Sequence, residues 1–191
     1  MSTLLRDIVQ ATVPISHRAT QAIEELTVDQ AVAKGELFIE RGKRNNSEYF
    51  VLEGICQSFL IDPEGQKVTL SFYGQGSVLA PHTTRTVKER ATINFQALTD
   101  VKLGVIDAKA FETLMIEDLD VRTFGNTVLH NELMRKVDKE IGMATLTAKE
   151  RLMRFREQFP MYENLIPHSD IASYLGITTI SLSRLRSERA G

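Results

Sequence analysis

The side chains best suited to chemistry lie near the C-terminal end: Thr178, Thr179, Ser181, Ser183, Arg184, Arg186 and Ser187. Arginine can pair bidentately with guanine, and short hydroxyls reach bases or phosphates. The segment that holds them, from Ile171-Ala172-Ser173-Tyr174-Leu175-Gly176 through Ile177-Thr178-Thr179-Ile180 to Ser181-Leu182-Ser183-Arg184-Leu185, has the spacing of a helix-turn-helix. Ala172 is small where two helices cross, and Gly176, four residues on, suits the left-handed position of a tight turn. Ile171, Leu175, Ile177, Leu182 and Leu185 are apolar where the two helices would pack. Thr178 or Thr179 can cap the second helix. Its outward positions are then Thr179, Ser181, Ser183, Arg184, Ser187 and Arg186, a face matched to the DNA major groove. The plain alternative is an amphipathic helical hairpin with a solvated face.

Other constellations are poorer. His17, His82, His130 and His168 lie far apart with no metal-ligand spacing, and no Ser/His/Asp or paired-carboxylate pattern stands out. Cys56 is the one cysteine, which excludes an internal disulfide and a Cys-rich metal site; it reads as a buried strand thiol. No cofactor and no catalysis are expected. Gly74-Gln75-Gly76 is a turn, because no βα unit surrounds it.

Three textures must position these residues. Residues 1–33 look helical, with Ile15, Ala19, Ala22, Ile23 and Leu26 at three- and four-residue spacing and Ser16 as a cap. From Lys34 to Ile106 the period becomes two, and turns such as Asp62-Pro63-Glu64-Gly65 punctuate the chain. Many short strands without intervening helices imply an antiparallel jelly roll and exclude a doubly wound parallel sheet. Beyond Asp107 helical spacing returns. Phe124, Val128, Asn131, Met134, Val137, Ile141 and Ala144 form one stripe of a long helix, suited to pairing with a second copy. A further helix over 148–158 stops at Phe159-Pro160.

The fold class read from this is α+β: an N-terminal antiparallel β-roll with flanking helices, a long dimerisation helix and a C-terminal helix-turn-helix bundle. The boundaries expected are 1–118, 119–144 and 145–191. Lys and Arg total 23 against 25 Asp and Glu, a net charge of -2, so a nucleic acid would have to meet a local patch. The last 47 residues supply it, with seven basic side chains against five acidic ones. No stretch approaches the ~20 apolar residues of a membrane span, and no leader-like start is seen, so a cytoplasmic protein is expected.

The helix-turn-helix, together with Thr147-Ala148-Lys149-Glu150-Arg151-Leu152 and Leu165-Ile166-Pro167, resembles the C-terminal part of the Crp/Fnr family of bacterial transcription regulators, in a short form like that of Bacteroidetes members. Lys34-Gly35-Glu36, Tyr49-Phe50-Val51-Leu52-Glu53-Gly54, Asp62-Pro63-Glu64-Gly65 and Gly74-Gln75-Gly76 are similar to that family's cyclic-nucleotide-binding roll. The resemblance implies a homodimer that binds double-stranded DNA, with RNA polymerase as a further partner, no membrane, and an effector held by the roll. Arg90-Ala91-Thr92 sits where such proteins place the phosphate arginine.

Two departures follow. The ribose-binding glutamate position falls at about Pro81, and no acid occurs between Gly76 and Glu89. An unmet ribose hydroxyl costs about 1–3 kcal/mol, so tight binding of cyclic AMP is not expected. His82, Thr83, Thr84, Arg85 and Arg90 still leave the region rich in donors, so another anion is the alternative effector. The sequence also ends at Gly191, leaving no residues for the family's β-hairpin wing. Two rival functions stay open: a small-anion or nucleotide-sensing module acting through protein contacts without DNA, and a cupin-like metal enzyme, which lacks its His-x-His pair.

Overall fold

Two helices open the chain in the computed structural model, which describes residues 3–187: α1 (Thr3–Thr12) and α2 (His17–Leu26). Ser16 starts α2 as expected, its hydroxyl accepting the Ala19 N–H at 3.3 Å. The strands are β1 (Val28–Val32), β2 (Leu37–Ile39), β3 (Ser47–Glu53), β4 (Ile55–Ile61) and β5 (Lys67–Gly74), then β6 (Thr86–Val87), β7 (Arg90–Ala91), β8 (Asn94–Ala97) and β9 (Val101–Asp107). A four-residue helix, α3 (His82–Arg85), interrupts them. The strand β1 falls inside the stretch expected to be helical. All but one of its residues are exposed, so no apolar alternation marks it; pairing along β9, from Val28↔Val105 to Val32↔Val101, decides its conformation.

One sheet has the order β1-β9-β3, a second β2-β8-β4-β5, and β6 pairs with β7 alone. The pairs β1–β9, β2–β8, β3–β9 and β6–β7 are antiparallel. Alternation along β3 then sorts side chains between two cores. Tyr49 and Val51 face the roll interior with Cys56, Tyr73, Phe95 and Leu103. Phe50 and Leu52 face the other way, onto helices, with Val9, Ile23, Phe111 and Phe124.

Helices then follow as α4 (Ala108–Glu117), α5 (Leu119–Thr145), α6 (Ala148–Gln158), α7 (Tyr162–Leu165), α8 (His168–Leu175) and α9 (Thr179–Ser187). Among these described residues no helix is long and apolar enough to cross a membrane. The mixed α+β class and the strand-rich roll are as the sequence implied. The stripe along α5 is not one face. Phe124 and Val128 are buried on the roll side, Phe124 stacked with Phe50 at 6.1 Å between centroids, while Asn131, Met134, Val137 and Ile141 are exposed. The stripe steps by fewer than the roughly 3.6 residues of a helical turn, so its two ends precess to different sides. Leu129 and Leu133 join the exposed end instead.

Contacts divide the chain into two units, Met1–Gln57 with Phe72–Leu133, and Ser58–Ser71 with Met134–Gly191. In the second unit the β4–β5 turn grips α8. Ser173 donates its hydroxyl proton to the Lys67 carbonyl and accepts the Thr69 N–H, both at 2.9 Å. Lys67 lies 3.4 Å from Asp170, and Lys139 of α5 donates to the Leu70 carbonyl at 2.7 Å.

Candidate nucleic-acid interface and sensor pocket

The pair α8–α9 is built by the residues expected to build it. Gly176 closes α8 with φ +65°, and a Cβ there would stand 2.5 Å from the Met143 methyl. Ile171, Ala172, Leu175 and Leu182 are buried; Ile177 and Leu185 are half-buried. Below them lie Leu152 and Phe155 of α6, whose start carries a capping box: Thr147 and Glu150 satisfy each other's backbone N–H groups. Thr178 is the cap of α9, its hydroxyl oxygen accepting the Ser181 N–H at 3.1 Å.

That assignment changes the outward face. Ser181 is half-buried and hydrogen-bonded to Thr178, 3.0 Å between hydroxyls. Arg186 turns back: its Nε lies 3.1 Å from Glu163 and its Nη1 3.1 Å from His168 Nδ1. Arg156 also donates to Glu163, and this first, with both arginine charges, holds the Glu163 carboxyl below the usual carboxylate range. The side chains left exposed on α9 are Thr179, Ile180, Ser183, Arg184 and Ser187. Arg184 engages no carboxylate among the described residues. Ile180, 82% exposed at the centre of this face, is a residue that reasoning from polar side chains passed over. Arg189, whose charge also suits a phosphate, lies outside the described residues.

The sensor candidates do not converge on one point. His82 and Thr83 open α3 at the edge of a cavity. Arg85 is 1% exposed and spent on its neighbours: Nε donates to the Ala80 carbonyl at 2.8 Å, and the Nη atoms donate to Asn45 and the Ser47 carbonyl. Its guanidinium also lies 5.2 Å from the Tyr49 ring centroid. Arg90 is exposed and donates to the Gly42 carbonyl at 2.8 Å; Ala91 is buried, and Thr92 returns its hydroxyl proton to the Arg85 carbonyl.

A carboxylate does reach this loop, from a distant strand, and it is taken up by the loop itself. Both oxygens of Glu48, on β3, accept the His82 N–H, at 2.8 and 2.9 Å, and Arg85 lies 3.4 Å away. Burial raises the Glu48 pKa, opposed by the Arg85 charge, and burial lowers that of Arg85. Nothing in the local sequence marks Glu48, since it is strand pairing that brings it to a loop 34 residues on. Cys56 is fully buried and its thiol pKa is pushed up by desolvation. No group of three or more metal-binding side chains gathers among the described residues.

Along the chain an antiparallel roll is followed by a long helix and a helix-turn-helix pair. Residues 29–118 match the cyclic nucleotide-binding domain family. The fold is that of the Crp/Fnr regulators, and the resemblance read from the sequence holds. FixK2 from Bradyrhizobium japonicum superposes with a TM-score of 0.74 at 19% identity, over 85% of this chain and 83% of that one. The c-di-GMP-responsive global regulator CLP of Xanthomonas campestris gives 0.72 at 12% identity, over 92% of each chain. A protein of Eubacterium rectale assigned to the Crp/Fnr family gives 0.70 at 17% identity, over 90% and 82%. Curated protein sequences give no match.

Proposed function

We propose that this chain is a sequence-specific DNA-binding transcription regulator of Crp/Fnr type, acting as a homodimer, with a degenerate cyclic-nucleotide pocket. Residues 1–118 serve as the sensor, 119–144 as the dimerisation helix and 145–191 as the DNA-binding part. The observation that carries the reading is the exposed face of α9, where hydroxyls, one arginine and one isoleucine stand together on a capped, well-packed helix. The N-terminal residues of a recognition helix are those that meet base edges. The fold of CLP, named as a global regulator, and of the Eubacterium rectale protein, named as a transcriptional regulator, supports the same reading. Selection of bound sites from a random DNA pool tests it. A defined consensus and a log–log salt slope of several units are expected; retention of no DNA at moderate salt overturns it.

Degeneracy of the pocket rests on Glu48 and Arg85. The Glu48 carboxylate already takes the backbone donor at the start of α3, and Arg85 is turned onto protein acceptors. The roll interior is filled by rings: Phe38 with Tyr49 at 5.6 Å, Tyr73 with Phe95 at 5.6 Å. An anion entering there would meet packed rings and, in Arg85, a guanidinium already committed to protein acceptors. Calorimetric titration with cyclic AMP and cyclic GMP is expected to give no heat of binding at micromolar ligand. A micromolar Kd for either overturns this part.

A further inference from the structure

We infer that the cavity on the helix-facing side of β3 binds one small, mostly apolar molecule whose polar end donates hydrogen bonds, and that it rejects anions. The cavity measures about 510 Å³, within the range of small-molecule sites. It is not the roll interior. Phe50 lines it, whereas Tyr49 and Val51 point to the opposite, filled side of the same strand. Its apolar walls are Phe50, Val78, Phe111, Met115, Phe124 and Val128, drawn from β3, the strand-to-α3 loop, α4 and α5. Such walls favour an apolar body in proportion to the surface it withdraws from water.

Charge decides which polar end fits. Three carboxylates line the cavity, Glu48, Glu89 and Glu112, against the ammonium of Lys109 and the imidazole of His82, whose Nε2 is held 2.7 Å from the Asn45 carbonyl oxygen. Glu89 is paired outward with Arg44 at 2.7 Å. Arg85, the buried guanidinium nearest to Glu48, is not in the wall. A sulfonate, phosphate or carboxylate would therefore be desolvated beside an excess of like charge, with no buried arginine or lysine in the wall and only the exposed Lys109 ammonium to receive it. A neutral N–H or an ammonium finds acceptors in Glu48 and the Asn46 amide. The inference needs no DNA, so it stands or falls separately from the regulator reading.

Two dyes of one skeleton test it on the full chain: N-phenyl-1-naphthylamine, neutral with one N–H, and 8-anilinonaphthalene-1-sulfonate, which adds the anion. Fluorescence titration should show the neutral dye binding once per chain with a micromolar Kd, and the sulfonate at least about tenfold more weakly. Val78→Phe fills the cavity, and Thr83→Trp covers its mouth from an exposed position. Each should weaken the neutral dye about tenfold or more, with the far-UV circular dichroism of Thr83→Trp unchanged. Should Val78→Phe fail to fold, Thr83→Trp decides alone. Absence of neutral-dye binding, sulfonate binding as tight as the neutral dye, or unchanged affinity in the folded variants overturns the inference.

Discussion

Arg184 and Ile180 stand one helical turn apart on the exposed face of α9, and their chemistries predict different losses. If Arg184 reads a guanine, Arg184→Ala costs about 1–3 kcal/mol on the selected site and relaxes preference at one position. Equal affinity of variant and parent for that site would remove the assignment. Ile180 has no hydrogen bond to offer, so it can read only an apolar group, the thymine methyl. Replacing one thymine of the site by deoxyuridine should then weaken the parent and leave Ile180→Ala unaffected. By charge and helical spacing alone Arg186 suits DNA, at a phosphate. Its ties to Glu163 and His168 predict instead that Arg186→Ala lowers the melting temperature and leaves the salt slope unchanged. A slope reduced by about one unit would return it to the phosphate backbone. The polar types in the sequence mark the face proposed for DNA. They could not say which side chains the tertiary packing had already committed, nor that an isoleucine would be left bare.

At the scale of elements, local signals were legible where a short-range mechanism fixes an end: Ser16 before α2 and Gly176 after α8. The exposed strand β1 and the Glu48 carboxylate were not legible, because each depends on a partner far along the chain. The same holds for the grip of the β4–β5 turn on α8, which rests on Lys139 and Ser173. Lys139 sits 3.9 Å from the Tyr174 ring centroid, and desolvation, helped by the Lys136 charge, lowers its pKa to about 8. A lysine depressed in the folded state binds fewer protons there than when unfolded, so stability rises as pH climbs from about 8 towards the ordinary lysine value. Tyr174 works in the opposite sense: burial raises its pKa to about 12, so its contribution falls once pH passes the ordinary phenol value near 10. The melting temperature of the parent, measured against Lys139→Met, should therefore gain from about pH 8 up to the ordinary lysine value near 10.5 and level off beyond it, Tyr174 being common to both. A parent–variant difference that stays flat across that window would show that Lys139 titrates as a solvent lysine.

For the whole molecule the exposed end of α5 makes the prediction. Leu129, Leu133, Met134, Val137 and Ile141 are large apolar side chains on the outer surface of one helix, Leu133 being 58% and Val137 38% exposed. A solvated helix of a single chain has no reason to carry five of them in a row of turns, and a second copy of the same stripe buries them all by symmetry. Phe124 and Val128 take no part, since they are already buried against the roll, which moves the proposed seam toward the C-terminal half of the helix. Light scattering at micromolar protein should give twice the chain mass of 21.5 kDa, and a parent that is monomeric there refutes the dimer. The double variant Leu133→Glu with Val137→Glu places four like charges in the seam and should be monomeric, with its helical circular dichroism retained because both positions are open to solvent in the single chain. DNA then reports the same assembly independently. A two-fold dimer presents two copies of α9 and selects an inverted repeat with half-sites about one helical turn apart. The monomeric variant should select one half-site from the same random pool, at lower affinity and with no preferred spacing to a second. An inverted repeat selected equally by the variant would place the two-fold contact somewhere other than α5.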